Sequence, residues 1–128
     1  MAKASLYGQY VKEKEGRGII EGKNYFLTYK FEKEWCYIVD IYVAPEVRSE
    51  GLITKISLEC EEIARKAGYT KMLGSVDIST KSPEISAIGM MRHGYKFFKL
   101  VGSVIFFLKD LNTQHTDTWK DVKGEING

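Results

Sequence analysis

The sequence predicts an α/β (α+β) domain, a mixed β-sheet of about six or seven strands with two main helices. Three observations predict it. Aromatic and β-branched residues fall in alternating runs early and late in the chain, as a pleated surface requires. Between them, Gly51–Ala67 repeats apolar residues every three to four positions, as a helix buried on one side requires. Glycine, proline and short polar clusters separate these runs, so the connections are short.

The elements follow in order. Ser5–Glu13 alternates weakly and reads as a strand, closed by the Gly16-Arg17-Gly18 turn signal. Ile19-Ile20-Glu21 is a second short strand before Gly22-Lys23-Asn24, and no helix is expected ahead of Asn24. Tyr25–Glu32 alternates cleanly, with Tyr25, Leu27, Tyr29 and Phe31 on one face. Trp35–Val43 is apolar on both faces except at Asp40, the pattern of a central strand buried on two sides. Pro45 stops it, because proline cannot donate to a sheet ladder.

In the amphipathic helix that follows, Leu52, Ile53, Ile56, Cys60, Ile63, Ala64 and Ala67 form one face, and Gly68 suits the residue after its end. Met72–Val76 is the next strand, so the strand–helix–strand order predicts some parallel pairing. Ser82-Pro83-Glu84 signals a second helix start, ended by Gly94. Tyr95–Val101 and Val104–Lys109 then form a hairpin around Gly102-Ser103.

Composition narrows the function classes. The 128 residues suit one domain, read as residues 1–111 with a polar tail over 112–128. In that tail, Trp119, Val122 and Ile126 stand at helical spacing. They read either as chance spacing or as a segment docking on a second copy or a partner protein. Nineteen basic against seventeen acidic residues leave a charge of +2, too little to hold nucleic acid by charge. No apolar run approaches the roughly 18 residues of a membrane span, and Met1–Ser5 lacks the apolar core of a secretion signal. Cys36 and Cys60 cannot build a disulfide framework or a zinc site, so reduced core thiols, a cytoplasmic location and no metal are expected.

The stretch from Val39 to Ile53 carries the chemistry. An apolar strand ends in Tyr42-Val43-Ala44-Pro45, and Arg48-Ser49-Glu50-Gly51 opens a helix that closes on Ala64-Arg65-Lys66-Ala67-Gly68-Tyr69. With His93-Gly94-Tyr95 entering the last strands, this order resembles the GNAT acetyltransferase superfamily over about Tyr25–Leu111. A helix start suits a pyrophosphate on general grounds, since its N–H groups and dipole face the anion. The resemblance implies acetyl-coenzyme A as cosubstrate, bound by Ile41, Tyr42, Val43, Arg48, Ser49, Glu50, Gly51, Leu52 and Ile53. It also implies transfer of the acetyl group to a primary amine of a small molecule or peptide.

Asp40 is the leading base candidate, as the one ionisable group in a strand read as buried; a solvent-facing, cation-paired carboxylate is the alternative. Tyr95 and Tyr42 are candidate proton donors, or core aromatics, and His93 suits a helix end. Several positions depart from the family pattern. Ile53 replaces a small residue and is expected to crowd the phosphates, Glu50 adds an acid, Met90 stands near the usual tyrosine and Pro83 near a usual asparagine. A compact member with a degenerate active site, lacking the usual N-terminal helical pair, is therefore expected. Its alternative function is that of a silent binding or structural subunit.

Overall fold

The computed structural model of the chain describes residues 5–81 and 83–112. Ser82 and the tail residues Trp119, Val122 and Ile126 lie outside the described residues. Six strands and three helices are present among them, and the chain divides after Tyr69 into two compact units.

The first unit opens with a helix, α1 (Leu6–Glu15), where alternation predicts a strand. The reason is local. Ser5 is extended and its Oγ accepts the Gly8 N–H at 2.9 Å, an N-cap, while Gly16 takes the left-handed conformation at φ 64° and ends the helix. Leu6, Tyr10 and Val11 fit the helical period as well as the strand period, and the two caps decide between them. Lys12 and Lys14 in the last turn suit the negative end of the dipole. The expectation of no helix ahead of Asn24 is thus corrected to a single helix, which makes a third beside the two anticipated.

Strands β1 (Gly18–Gly22), β2 (Tyr25–Phe31) and β3 (Cys36–Val43) form an antiparallel meander. Thr28 pairs with Asp40 and Tyr29 with Ile38, so Val39 is an extra residue on β3, a β-bulge. Tyr25, Leu27, Tyr29 and Phe31 share a face with Val43, Ile41, Ile38 and Cys36; Phe26, Thr28 and Lys30 share the other with Tyr42, Asp40 and Tyr37.

Helix α2 (Leu52–Lys66) covers the first face, burying Ile56, Cys60 and Ala64 over Leu27 and Cys36. Each large apolar side chain buried this way stabilises the unit by about 1.5–3 kcal/mol. Helix α1 covers part of the second face, burying Val11, with Tyr7 against Phe26 at a centroid distance of 5.3 Å. Only Cys36 and Val43 of β3 are buried, and Asp40, Ile41 and Tyr42 are exposed. The strand predicted to be buried on both sides is therefore open at its C-terminal half. Of the exposed residues there, Tyr42 is held by stacking on Phe26 rather than by deep burial.

Helix α2 ends in a Schellman motif: Gly68 N–H bonds the Arg65 carbonyl at 3.0 Å and Tyr69 N–H the Ala64 carbonyl at 2.9 Å. Tyr69 then stacks on Phe31 at 4.8 Å and 7°.

The second unit contains β4 (Lys71–Asp77), α3 (Pro83–Arg92), β5 (Lys96–Val101) and β6 (Val104–Asp110). Strand β6 pairs antiparallel with both β4 and β5, and Gly102 takes φ 60° in the two-residue hairpin turn. Helix α3 starts at Pro83 as predicted and repeats the same C-terminal motif. Gly94 N–H bonds Met91 at 3.2 Å and Tyr95 N–H bonds Met90 at 3.1 Å. Met90 rests against Gly74 of β4, where a Cβ would displace the methyl at the end of the flexible Met90 side chain.

Candidate functional site

The site starts at the end of β3. Ala44 N–H bonds the Asn24 carbonyl at 2.8 Å, fixing the strand end, and Pro45 opens a 3₁₀ turn over Pro45–Glu50. Arg48 returns to the strand. Its Nε donates to the Val43 carbonyl at 2.8 Å, and its guanidinium lies 5.6 Å from the centre of the Tyr42 ring. Arg48 was predicted as an anion contact; the structure first gives it the work of locking this loop to β3. Its other N–H groups remain capable of a second bond.

Gly51 sits between the 3₁₀ turn and α2 with φ 74° and ψ 18°, a conformation costly for a residue with a Cβ. Apart from its chain neighbours, no described heavy atom lies within 4 Å of where that Cβ would stand, so the described surroundings leave the backbone open there. As N-cap, Gly51 has no side chain to accept the N–H groups of the first turn, and that turn carries no acidic residue. Among the described side chains, this fifteen-residue helix thus has no counter-group at its positive end. These features fit a pyrophosphate: an open glycine backbone, an uncapped helix start and an arginine held beside it. Ile53 is half exposed at 47%, and the side chains of Ser49 and Glu50 lie outside the described ones.

Asp40 lies in the first unit and Tyr95 in the second. Asp40 is not buried. Its side chain is 56% exposed and pairs with Arg17 at 3.3 Å, and Arg17 also holds Glu15 at 3.0 Å. The expectation of a buried Asp40 is corrected accordingly: this part of β3 is open, and the solvent-facing, cation-paired alternative is the one found. Arg17 was missed from sequence, since nothing in a turn 23 positions away marks it as the partner.

Tyr95 is buried at 5% exposure, with the Lys109 ammonium 5.7 Å from its ring centre. His93 closes α3, its N–H bonding the Met90 carbonyl at 3.0 Å. Tyr42 is 48% exposed and stacks on Phe26 at 5.8 Å. The thiols of Cys36 and Cys60 are buried together. Hydrogen bonding to Cys36, and then burial, push the Cys60 thiol up, so it is a proton-holding core group. Burial, followed by the two thiols, raises the Tyr29 phenol in the same cluster.

Thr28 is fully buried on the Asp40 face, and its hydroxyl has no hydrogen-bond partner among the described residues. Alternation marked the residue as facing away from Leu27 but could not mark that vacancy for a bond. No helix among the described residues is long and apolar enough to cross a membrane.

Comparison with known proteins agrees with this architecture. Among solved structures, the chain is similar to the PaiA N-acetyltransferase of Thermoplasma acidophilum in complex with coenzyme A, with TM-score 0.61 and 20% identity, over 68% of this chain and 53% of that one. A GNAT family acetyltransferase of Elizabethkingia anophelis with acetyl-CoA bound gives TM-score 0.65 at 12% identity, over 83% of this chain and 82% of that one. An acetyltransferase of Bacillus cereus gives 0.59 at 19%, over 87% and 96%. The chain spans 53%, 63% and 62% of the Thermoplasma protein and of matching structures from Klebsiella pneumoniae and Desulfovibrio desulfuricans. No curated protein sequence matches it. The model of the Acetyltransferase (GNAT) family matches residues 3–95, which takes in α1, the meander, the Arg48–Gly51 turn and both later helices. The chain belongs to the GNAT acetyltransferase family.

Proposed function

We propose that the chain is an N-acetyltransferase that takes its acetyl group from acetyl-coenzyme A and transfers it to a primary amine. The observation that carries this reading is the uncapped start of α2 behind the open Gly51 backbone. In this reading the first-turn N–H groups of α2, from Leu52 and Ile53, and the backbone of Ser49, Glu50 and Gly51 hold the pyrophosphate. Arg48 keeps that turn in place through Val43. The exposed end of β3, Ile41–Val43, offers backbone groups to the pantetheine arm. The cosubstrate supplies an activated thioester.

The remaining chemistry is proton handling. In the transfer, a nitrogen–carbon bond forms, the carbon–sulfur bond breaks, the amine loses a proton and the thiolate gains one. Asp40, solvent-facing and bonded to Arg17, is the proposed anchor for the incoming ammonium, with water taking the proton as the amine is freed. Tyr95 is the proposed donor to the departing thiolate.

Thermal unfolding with and without millimolar acetyl-coenzyme A tests the reading. A ligand at a hundredfold excess over its Kd adds about 2.7 kcal/mol, a shift of several degrees for a chain of this size. No shift would end the reading. Release of thiol over a panel of amines then distinguishes an enzyme from a protein that binds the cosubstrate silently. Tyr95→Phe is expected to lower kcat about 100-fold with KM for acetyl-coenzyme A unchanged.

A further inference from the structure

We infer that the amine acceptor is an arylalkylamine, a single primary amine on a flat aromatic ring, bound on the Phe26–Tyr42 face of the first unit. This rests on the acetyl-transfer reading. Three elements converge there: Tyr7 of α1 lies 5.3 Å from Phe26 of β2, and Phe26 lies 5.8 Å from Tyr42 of β3. Tyr7 and Tyr42 are 42% and 48% exposed, so the row is an open aromatic strip rather than core.

Asp40 stands two residues before Tyr42 on the same strand face, about 7 Å along the sheet. A two-carbon tether between ring and amine spans that separation. The ring would rest on the strip, and the ammonium would meet the carboxylate. Asp40 and Glu15 set two carboxylates against the one guanidinium of Arg17, and Lys30 shares this strand face.

The ends of the strip set the selectivity. Arg48 closes it at Tyr42, and Arg17 stands at Asp40. A polyamine long enough to follow the rings would bring its second and third charges against these guanidiniums. A monoamine with an apolar body meets no such repulsion. An aliphatic amine of equal length lacks the ring contact.

Calorimetric titration of phenethylamine, n-heptylamine and spermidine into the full chain, without acetyl-coenzyme A, reads binding apart from turnover. Phenethylamine is expected to bind at least tenfold tighter than either. Phe26→Leu and the surface variant Tyr7→Leu should each weaken it about 3- to 10-fold, and Asp40→Asn more, while the acetyl-coenzyme A thermal shift persists. In coupled assays the same order should appear in kcat/KM. An equal or better spermidine, heptylamine or peptide N-terminus, or unchanged phenethylamine binding in all three variants, would overturn the acceptor assignment. The transferase reading would stand in that case, provided the thermal shift is present. Loss of that shift in the unaltered protein strikes the transferase reading instead.

Discussion

Helices α2 and α3 end alike and begin differently. Each closes on Gly-Tyr in a Schellman motif, Gly68-Tyr69 and Gly94-Tyr95, with the same pair of hydrogen bonds. Their C-termini are satisfied by the same local physics. At the other end, α3 starts on Pro83 with the acid Glu84 in its first turn, so the positive end of its dipole has a built-in counter-charge. Helix α2 starts on a glycine, with no acid in the first turn and open space above the backbone. The comparison bears on where the proposed function sits. In that reading α3 is finished at both ends for stability, and α2 is left open at its N-terminus to receive an anion.

The largest effect expected concerns what anchors α2 rather than what it binds. Ile56→Ala removes a fully buried side chain beneath the helix and should cost about 2–5 kcal/mol in denaturant unfolding. A cost under 1 kcal/mol would mean that α2 is not held by this core. The matched caps come next: Gly68→Ala and Gly94→Ala, at φ 93° and 90°, should each cost about 1–2 kcal/mol, and by similar amounts. A large disparity would break the likeness of the two ends.

Ile53→Glu makes the start of α2 resemble that of α3. Because Ile53 is half exposed, the new acid should raise stability by about 0.3–1 kcal/mol through the dipole. It should also weaken acetyl-coenzyme A binding at least tenfold. These opposite signs separate a structural terminus from a binding one, since a merely structural site would change in stability alone. The smallest effect is the reverse exchange. Glu84→Gln should cost about 0.3–1 kcal/mol and leave acetyl-coenzyme A binding untouched.

The parts of the fold legible in sequence were those under local control. Gly102-Ser103 marks its hairpin, Pro83 its helix start, and the spacing from Leu52 to Ala64 its buried face, each within a few residues. The misread helix α1 was local too. Ser5 and Gly16 are readable caps, but three apolar residues at weak spacing outweighed them. What sequence could not reveal depends on distant partners. The Val39 bulge exists only in the pairing with β2, and the exposure of Asp40 follows from which face α1 leaves uncovered. The Arg17 pair and the Tyr7–Phe26–Tyr42 row likewise join residues from separate elements. The motif at Arg48–Gly51 was visible as a pattern, whereas the structure added the uncapped helix start and the second task of Arg48.

The central claim, that the start of α2 receives the cosubstrate, is tested most directly by calorimetric titration of acetyl-coenzyme A into the unaltered chain and the Ile53→Glu variant. Saturable binding that falls at least tenfold in the variant, with folding intact, is the predicted result. Equal affinity in both proteins, or no binding to the unaltered chain, would contradict it.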